Sequence, residues 1–522
     1  MATFEWIIAL LLGAAALAAL ANRAGAPYPT FLALGGVALA FIPASPNWML
    51  DPRLALALFV APVLLDAAYD TSLRDLRTYW RPVAGLVVAA VGTTVVAVAC
   101  VARWRVPDMP WCVAVALGAI VAPPDAAAAT AVMRQMKLPH KLLKILEGES
   151  LLNDASALLV YRLAILAATS GHLTAGELAP IFLLTTLGSV AAGIACAWLV
   201  IPLSSLSREV PVQLIMQFAM AFGLWIGAEA LGLSGILTMV AFAMTLARRG
   251  GMQMAARVRV PVFAVWESAV FVLNAFAFVL IGMQLRPIWQ RLAAHDAQAG
   301  AIATAAVVLA TAIAARFAWV MVYTALMRRR LRRLQGSDAA AASLSSSVVL
   351  SWAGMRGIVT LAAAFAIPET LPDGTPFPHR DLILLCAFAV VLGTLVLQGL
   401  TMAPLIRRMC LPDDGVVPRE IRKGRTEAYR ALLEAVDGDD SLTARLLRKE
   451  YGEIIAANDQ PDSREPVDDV PGGALRRRAI AAARQRAYEL LREDVIGDDA
   501  YRVLVQELDW AELSAGGGRA DA

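Results

Sequence analysis

The sequence predicts an all-α polytopic membrane protein, and three observations support that fold class. The 522-residue chain has only 17% charged residues, whereas a soluble protein carries about a quarter. Its mean hydropathy is +0.62. Its apolar residues come in runs of about 20, the length that crosses about 30 Å of hydrocarbon as a helix. A membrane β-barrel would show short alternating segments instead.

The apolar runs divide the chain into a transmembrane domain, residues 1–410, and a charged tail, residues 411–522. About thirteen spans are predicted, at residues 4–22, 27–43, 53–71, 82–101, 110–132, 147–169, 178–203, 211–229, 232–247, 261–284, 298–327, 341–366 and 381–406. The tail has apolar residues at helical spacing between Pro/Asp/Gly-rich breaks. It is predicted to be a cytosolic extension, helical or partly disordered.

Lysine and arginine in the short loops predict the orientation of the spans. One set of alternate loops holds eighteen of these residues and the other set holds six. The richer set is therefore expected on the cytoplasmic side of the plasma membrane. This places the N-terminus outside and the C-terminus in the cytoplasm.

Two predicted spans contain breaks at matching positions of the chain. Spans 1–6 and 8–13 have opposite topology, which is the pattern of two inverted six-helix repeats. Span 5 contains Pro123 and Pro124, which disrupt helical hydrogen bonding just before Asp125. The corresponding span 12 has Gly354 and Gly357 on either side of Arg356. Paired interrupted spans predict a binding site near the membrane midplane.

Two acids on consecutive spans, Asp125 and Asp154, indicate an ion path, because an ionisable residue at membrane depth is costly and usually functional. In span 6, Ser150 precedes Asp154 by four residues, and Glu149 precedes Asn153 by four. Each pair shares a helix face. This set offers carboxylate, amide and hydroxyl oxygens. A hard monovalent cation such as Na⁺ is therefore expected at Asp154, with Asp125, Ser150 and Asn153 as further ion-binding residues.

The same residues predict exchange of a cation for a proton. Burial disfavours the charged form of a carboxylate, so Asp154 is expected to hold either a proton or a metal cation. The amide at Asn153, where an aspartate would offer a second proton, predicts electroneutral one-for-one exchange. Potassium/proton exchange and electrogenic exchange stay open as alternatives, as do Li⁺ transport and a channel or sensor with the same body. No nucleophile–base set, metal cluster or nucleotide loop is found in the spans, so an enzyme, a cofactor and a nucleic-acid partner are not expected.

The stretches GESLLNDA and WAGMRG, with LGTLVLQGLTMAPLIRR after the second, resemble the sodium/proton antiporters of the NhaP/NHE type, the cation:proton antiporter-1 family. The likeness runs from about residue 5 to 410. It implies a homodimer in the bacterial inner membrane, with two crossed discontinuous helices and a six-helix domain that moves like an elevator. It also implies a set of functional positions, namely ion binding at Asp154, crossing-helix organisation by Asn153, and supporting roles for Asp125, Glu149, Ser150, Arg356 and Asp66.

One position departs from the family pattern. Where the family usually has threonine–aspartate–proline, this chain has Pro124-Asp125-Ala126. The missing threonine hydroxyl leaves ion selectivity and affinity open. Arg356 is expected to neutralise Glu149, Glu267 or a helix end, with Glu267 as a charge-balancing residue. Three more charged residues within or at the ends of spans are expected to be structural, namely Arg162, Glu229 and Arg316. His140 is expected in a basic cytoplasmic loop.

Overall fold

The computed structural model of this chain describes residues 2–42, 52–125, 133, 138–170, 175–203, 209–250, 256–293, 298–335, 344–411, 414–458, 473–493 and 498–514. It falls into two compact units, Met1–Asp413 and Asp414–Ala522. The described part contains helices and no β-strand, only an isolated bridge between Thr370 and Pro376. The all-α fold class is therefore confirmed.

The helices of the first unit follow one another along the chain with short connections. They are α1 (Ala2–Ala24), α2 (Tyr28–Ala40), α3 (Pro52–Ala55), a π-helical turn (Leu56–Val60), α4 (Ala61–Asp70), α5 (Leu73–Thr78), α6 (Trp80–Ala84), a second π-helical turn (Gly85–Ala90), α7 (Val91–Arg105), α8 (Trp111–Val121), α9 (His140–Ser170), α10 (Ala175–Leu203), α11 (Val210–Ala230), α12 (Gly235–Gly250), α13 (Ala256–Met283), α14 (Leu285–Ala293), α15 (Gln298–Gln335), α16 (Leu344–Trp352), α17 (Ile358–Phe365) and α18 (Arg380–Met409).

Eight helices in the described residues are long and apolar enough to cross a membrane. Two shorter apolar helices, Tyr28–Ala40 and Trp111–Val121, accompany them. Several predicted spans are built from short or interrupted helices, such as α3, a π-helical turn and α4 over residues 52–70. A multi-pass membrane protein is thus confirmed, whereas thirteen spans and an inverted repeat stay predictions.

The second unit is also helical. It contains α19 (Val416–Ala435), α20 (Leu442–Asn458), α21 (Gly473–Arg492) and α22 (Asp498–Ser514). Tyr429 packs edge-on against Tyr451, so that α19 and α20 form one pair. Arg484 contacts Asp509 at 2.7 Å and also pairs with Glu512, which joins α21 to α22.

The long helices of the first unit pack as two bundles. The first bundle consists of α1, α2, α4 and α10–α13, and the second consists of α7–α9 and α15–α18. Glycines allow close backbone contact within each bundle. A Cβ on Gly282 of α13 would collide with the Ala33 carbonyl of α2, and one on Gly118 would collide with the Val95 carbonyl of α7. Small residues at helix crossings are typical of membrane bundles, because packing there depends on close approach.

Both breaks lie in the second bundle and meet each other. Helix α8 ends at Val121, before Pro123 and Pro124, and its continuation lies outside the described residues. Residues 353–357 separate α16 from α17 and are not helical. The backbone N–H of Asp125 donates to the Met355 carbonyl at 2.6 Å. The two interruptions therefore touch through their backbones, as their matched positions in the sequence predict.

The helix of span 6 begins earlier than predicted. Helix α9 begins at His140, so that His140, Lys141 and Lys144 lie on its first turns. The expectation of a loop at these positions is wrong, because hydropathy locates the apolar run and not the start of helical hydrogen bonding. Charged residues fit a helix end where water is available, and Lys144 pairs with Glu147 at 2.7 Å. Arg134 and Lys137 lie outside the described residues.

Candidate ion-binding site

Helix α9 carries a run of polar side chains into the interior of the second bundle. Asn153 is fully buried, and Asp154 has an exposed fraction of 9%. Ser150, one turn before Asp154, is half-buried. The i, i+4 spacing aligns Ser150 with Asp154 along one side of the helix, as expected from the sequence.

Asp125 lies at the point where the two breaks meet. Its backbone is held by Met355, and its carboxylate lies directly against Gly357, where an added Cβ would overlap the Oδ2 atom. Glycine at 357 is therefore required by the carboxylate itself. Asp154 lies on α9, which packs against α8, so a second acid belongs to the same bundle. Two acids from consecutive spans thus share one interior region, which favours the presence of a proton or cation between them.

Glu149 forms the centre of a buried network next to this pair. Its carboxylate has an exposed fraction of 1% and accepts a hydrogen bond from the Asn153 amide at 3.1 Å. Arg316 of α15 pairs with both carboxylate oxygens, the second at 2.9 Å, and also donates to the Leu350 carbonyl at 3.0 Å. The network ties α9 to α15 and to α16, which precedes the second break.

Arg316 is a residue whose importance the sequence did not reveal. The sequence predicts a structural role for Arg316 and does not indicate its partner. In the structure Arg316 neutralises Glu149, which is 167 residues away along the chain. The sequence feature that points to Arg316 is its positive charge within a predicted span, because a cation at that depth needs a specific partner. Helical spacing identifies partners one turn away and gives no information on pairs this distant.

Arg356 is fully buried and bonds mainly to backbone carbonyls. Its Nε donates to the Val121 carbonyl at 3.1 Å, and its Nη2 lies 3.5 Å from the Ala312 carbonyl. A further bond reaches its neighbour Gly354. Val121 is the last residue of α8, and the carbonyl end of a helix is negative. The sequence analysis expects Arg356 to neutralise Glu149, Glu267 or a helix end. In the structure Arg356 bonds to the helix end.

Two further supporting residues are expected from the sequence, Glu267 and Asp66. Glu267 is exposed on α13 of the first bundle and has no described hydrogen bond to the residues around Asp154. No described contact therefore supports the expectation that Glu267 balances charge near Asp154. The sequence did not show which side of α13 faces inward, because this helix is apolar around most of its circumference. Asp66 is half-buried on α4, also in the first bundle.

The cluster leaves polar atoms without a hydrogen-bond partner in the described part of the chain. Asn153 Oδ1 and Arg316 Nε are both buried and unpaired there. Unpaired buried polar atoms are costly and call for an explanation. An acceptor oxygen beside Asp154 suits a bound cation or a water molecule. The expectation that Asp154, Asp125, Ser150 and Asn153 together bind one small cation stays a prediction.

Comparison with known proteins identifies the family of this chain. The sodium/hydrogen exchanger, transmembrane family model matches residues 7–408. A sodium, potassium, lithium and rubidium/H⁺ antiporter of Bacillus pumilus is 29% identical over 441 residues, which cover 81% of this chain and 65% of that protein. A Na⁺/H⁺ exchanger of Mycobacterium tuberculosis is 30% identical over 528 residues, which cover 97% of this chain and 95% of that protein.

The fold has a relative among solved structures. The sodium proton antiporter MjNhaP1 from Methanocaldococcus jannaschii at pH 8 superposes with a TM-score of 0.60 and 16% identity, covering 78% of this chain and 99% of that chain. At that identity the likeness concerns the fold. The match of the family model over most of the chain goes further, and it places this multi-pass protein in the transmembrane sodium/hydrogen exchanger family.

Proposed function

We propose that this protein exchanges Na⁺ for H⁺ across the membrane by secondary active antiport. One observation carries the proposal: Asp125 lies where two broken helices meet, and the buried Asp154 lies on α9, which packs against α8 in the same bundle. Two carboxylates in such a setting cannot both stay ionised without a compensating cation. A proton on Asp154 or a sodium ion between the acids satisfies that need in turn.

The chemistry of one cycle follows from competition at Asp154. Sodium binding requires the ionised carboxylate, so it displaces the proton, and protonation from the other side of the membrane releases the sodium. Asn153 cannot hold a second proton, which favours one proton per sodium ion and electroneutral exchange. Glu149 is neutralised by Arg316 and is not needed as a proton carrier.

The two bundles give a physical route to alternating access. The second bundle carries Asp125, Asp154 and both breaks, while the first carries none of them. Movement of the second bundle against the first would present the same acids to each side of the membrane, without a continuous pore. The proposal also includes thirteen spans, a homodimer, a location in a bacterial inner membrane, an N-terminus outside and a cytosolic tail after residue 410.

A wider cation range is a second candidate. The Bacillus pumilus relative is named for potassium, lithium and rubidium as well as sodium. Pro124 occupies the position where the family usually has a threonine, so one hydroxyl ligand is missing near Asp125. A site with fewer fixed ligands discriminates less between ions of different size.

Exchange can be measured in everted vesicles from a host without its own sodium/proton antiporters. Sodium, potassium and lithium are added separately to vesicles with a respiratory pH gradient, with and without a membrane potential. We expect sodium to dissipate the gradient and Asp154→Asn to abolish that response. Asp373→Asn, in an exposed loop, is the matched control and should behave as wild type. Exchange retained by the Asp154→Asn protein would refute the proposal.

A further inference from the structure

Arg162 connects the helix that carries Asp154 to the other bundle. It lies on α9, eight residues after Asp154, which corresponds to about 12 Å along the helix axis. Its Nη2 atom contacts the two carboxylate oxygens of Glu229 at 2.5 and 2.6 Å. Its Nη1 atom donates to the Leu233 carbonyl at 3.2 Å. Glu229 lies near the end of α11 and Leu233 follows it, both in the first bundle.

The partner of Arg162 is held in a fixed turn. The Glu229 carboxylate also accepts a hydrogen bond from the Gly235 N–H at 3.2 Å, at the start of α12. Gly232 has a φ of +72°, a conformation that favours glycine. An added Cβ on Gly235 would meet the Trp225 ring at 2.9 Å. The turn from α11 to α12 thus presents one carboxylate and one carbonyl in a defined position.

The described surface between the bundles also contains apolar contacts and a neutral hydrogen bond, from the Thr30 hydroxyl of α2 to the Leu395 carbonyl of α18 at 2.7 Å. Ile358 and Leu361 of α17 line a small cavity of about 70 Å³ with Ala55, Phe59 and Leu280 of the opposing helices. Apolar side chains can exchange neighbours at little cost when one bundle slides, because dispersion and burial are not directional. In the Arg162–Glu229 pair, Nη2 contacts both carboxylate oxygens, and this directional, charge-assisted pair identifies one relative position of the bundles.

We propose that Arg162 and Glu229 form a clamp that holds one of the two access states and opens in every transport cycle. The inference rests on the proposed antiport function, because a clamp has meaning only if the second bundle moves. Arg162 is then a positioning residue, which sets where α9 and its Asp154 stop relative to the first bundle. The pair is about two-fifths exposed, with side-chain fractions of 39% and 38%, so reagents can reach it.

The test is a reversible cross-link between Arg162→Cys and Glu229→Cys in the full-length protein in proteoliposomes. A short bis-methanethiosulfonate reagent bridges the gap that remains when both long side chains are shortened. Peptide mass mapping verifies the bridge, and dithiothreitol removes it. We expect sodium-driven proton exchange to fall at least tenfold when the bridge is present and to recover on reduction.

A cross-link within one bundle is the matched control. The Thr324 hydroxyl donates to Ser347 Oγ at 2.9 Å, between α15 and α16 of the second bundle. The Thr324→Cys/Ser347→Cys pair, treated in the same way, should retain its exchange rate. Unimpaired exchange by the bridged Arg162→Cys/Glu229→Cys protein would overturn the clamp while leaving the antiport proposal intact. Absence of cation-driven exchange in the untreated wild-type protein would overturn the antiport proposal itself, and the clamp with it.

A charge variant tests the same clamp without a reagent. Glu229→Gln removes the carboxylate charge, and for a partly exposed pair we expect a shift of about threefold between the two states. The sodium concentration for half-maximal exchange should therefore change by about threefold, since apparent affinity follows the population of the competent state. The charge-swapped double variant, Arg162→Glu with Glu229→Arg, should move the value part of the way back to wild type, because it keeps an ion pair but loses the bonds to the Leu233 carbonyl and the Gly235 N–H. An unchanged sodium dependence in Glu229→Gln would count against the clamp.

Discussion

Replacing Arg316 by methionine removes the cation that neutralises Glu149 in the interior of the second bundle. The substitution deletes both bonds to the Glu149 carboxylate and the bond to the Leu350 carbonyl. Glu149 is 1% exposed, so water cannot replace the lost partner, and only the Asn153 amide would still be bonded to it among the described contacts. Removing one partner of a buried ion pair costs about 3–5 kcal/mol. We expect Arg316→Met to lose that much unfolding free energy.

A second substitution separates the charge effect from lost packing. Glu149→Gln combined with Arg316→Met leaves no uncompensated charge, so most of the loss should return and a deficit of about 1 kcal/mol should remain for the Leu350 carbonyl. The assay is reversible unfolding in mixed micelles, monitored by tryptophan fluorescence. Arg103→Met is the control, since Arg103 donates to the Met109 carbonyl and lies over the Trp111 ring. A loss below about 1 kcal/mol in Arg316→Met, or costs that simply add in the double variant, would refute the reasoning.

Two further predictions concern the ion site. Gly357→Ala places a methyl group where the Asp125 carboxylate lies, so exchange should fall at least tenfold in vesicles. Gly92→Ala is the control and should be neutral, because Gly92 has open space at its Cβ position. Normal exchange by Gly357→Ala would show that Asp125 does not need its present position. Asn153→Asp introduces a second titratable group beside Asp154, and we expect net charge movement per cycle on a solid-supported membrane, where the wild type gives none. Electrically silent exchange by that variant would contradict the stoichiometric argument.

Local features of the site could be predicted because they depend on short stretches of sequence. Pro123 and Pro124 cannot continue a helix, so the first break follows from covalent structure. The bond between Asn153 and Glu149 follows from helical spacing alone. The break around Gly354 and Gly357 was identified by its position in the second half of the chain.

Long-range partners could not be predicted, for a physical reason. Arg316 and Arg356 each carry a full charge in a span, and the sequence contains several acids and helix ends that either one could neutralise. The choice depends on how α15 packs near α9 and α16 and on how the second break meets the end of α8, which no local pattern encodes. The same applies to Glu267, whose helix is apolar on most sides, so that its exposure depends on which neighbours cover it.

Proton release on sodium binding tests the central claim most directly, because it measures the competition at Asp154 without any transport step. Purified protein in weakly buffered detergent is titrated with Na⁺ while a pH indicator records released protons. We predict about one proton released per sodium ion bound, an apparent sodium affinity that weakens as the pH falls, and no release from Asp154→Asn. Sodium binding of unchanged strength at every pH, or undiminished proton release from Asp154→Asn, would contradict the account.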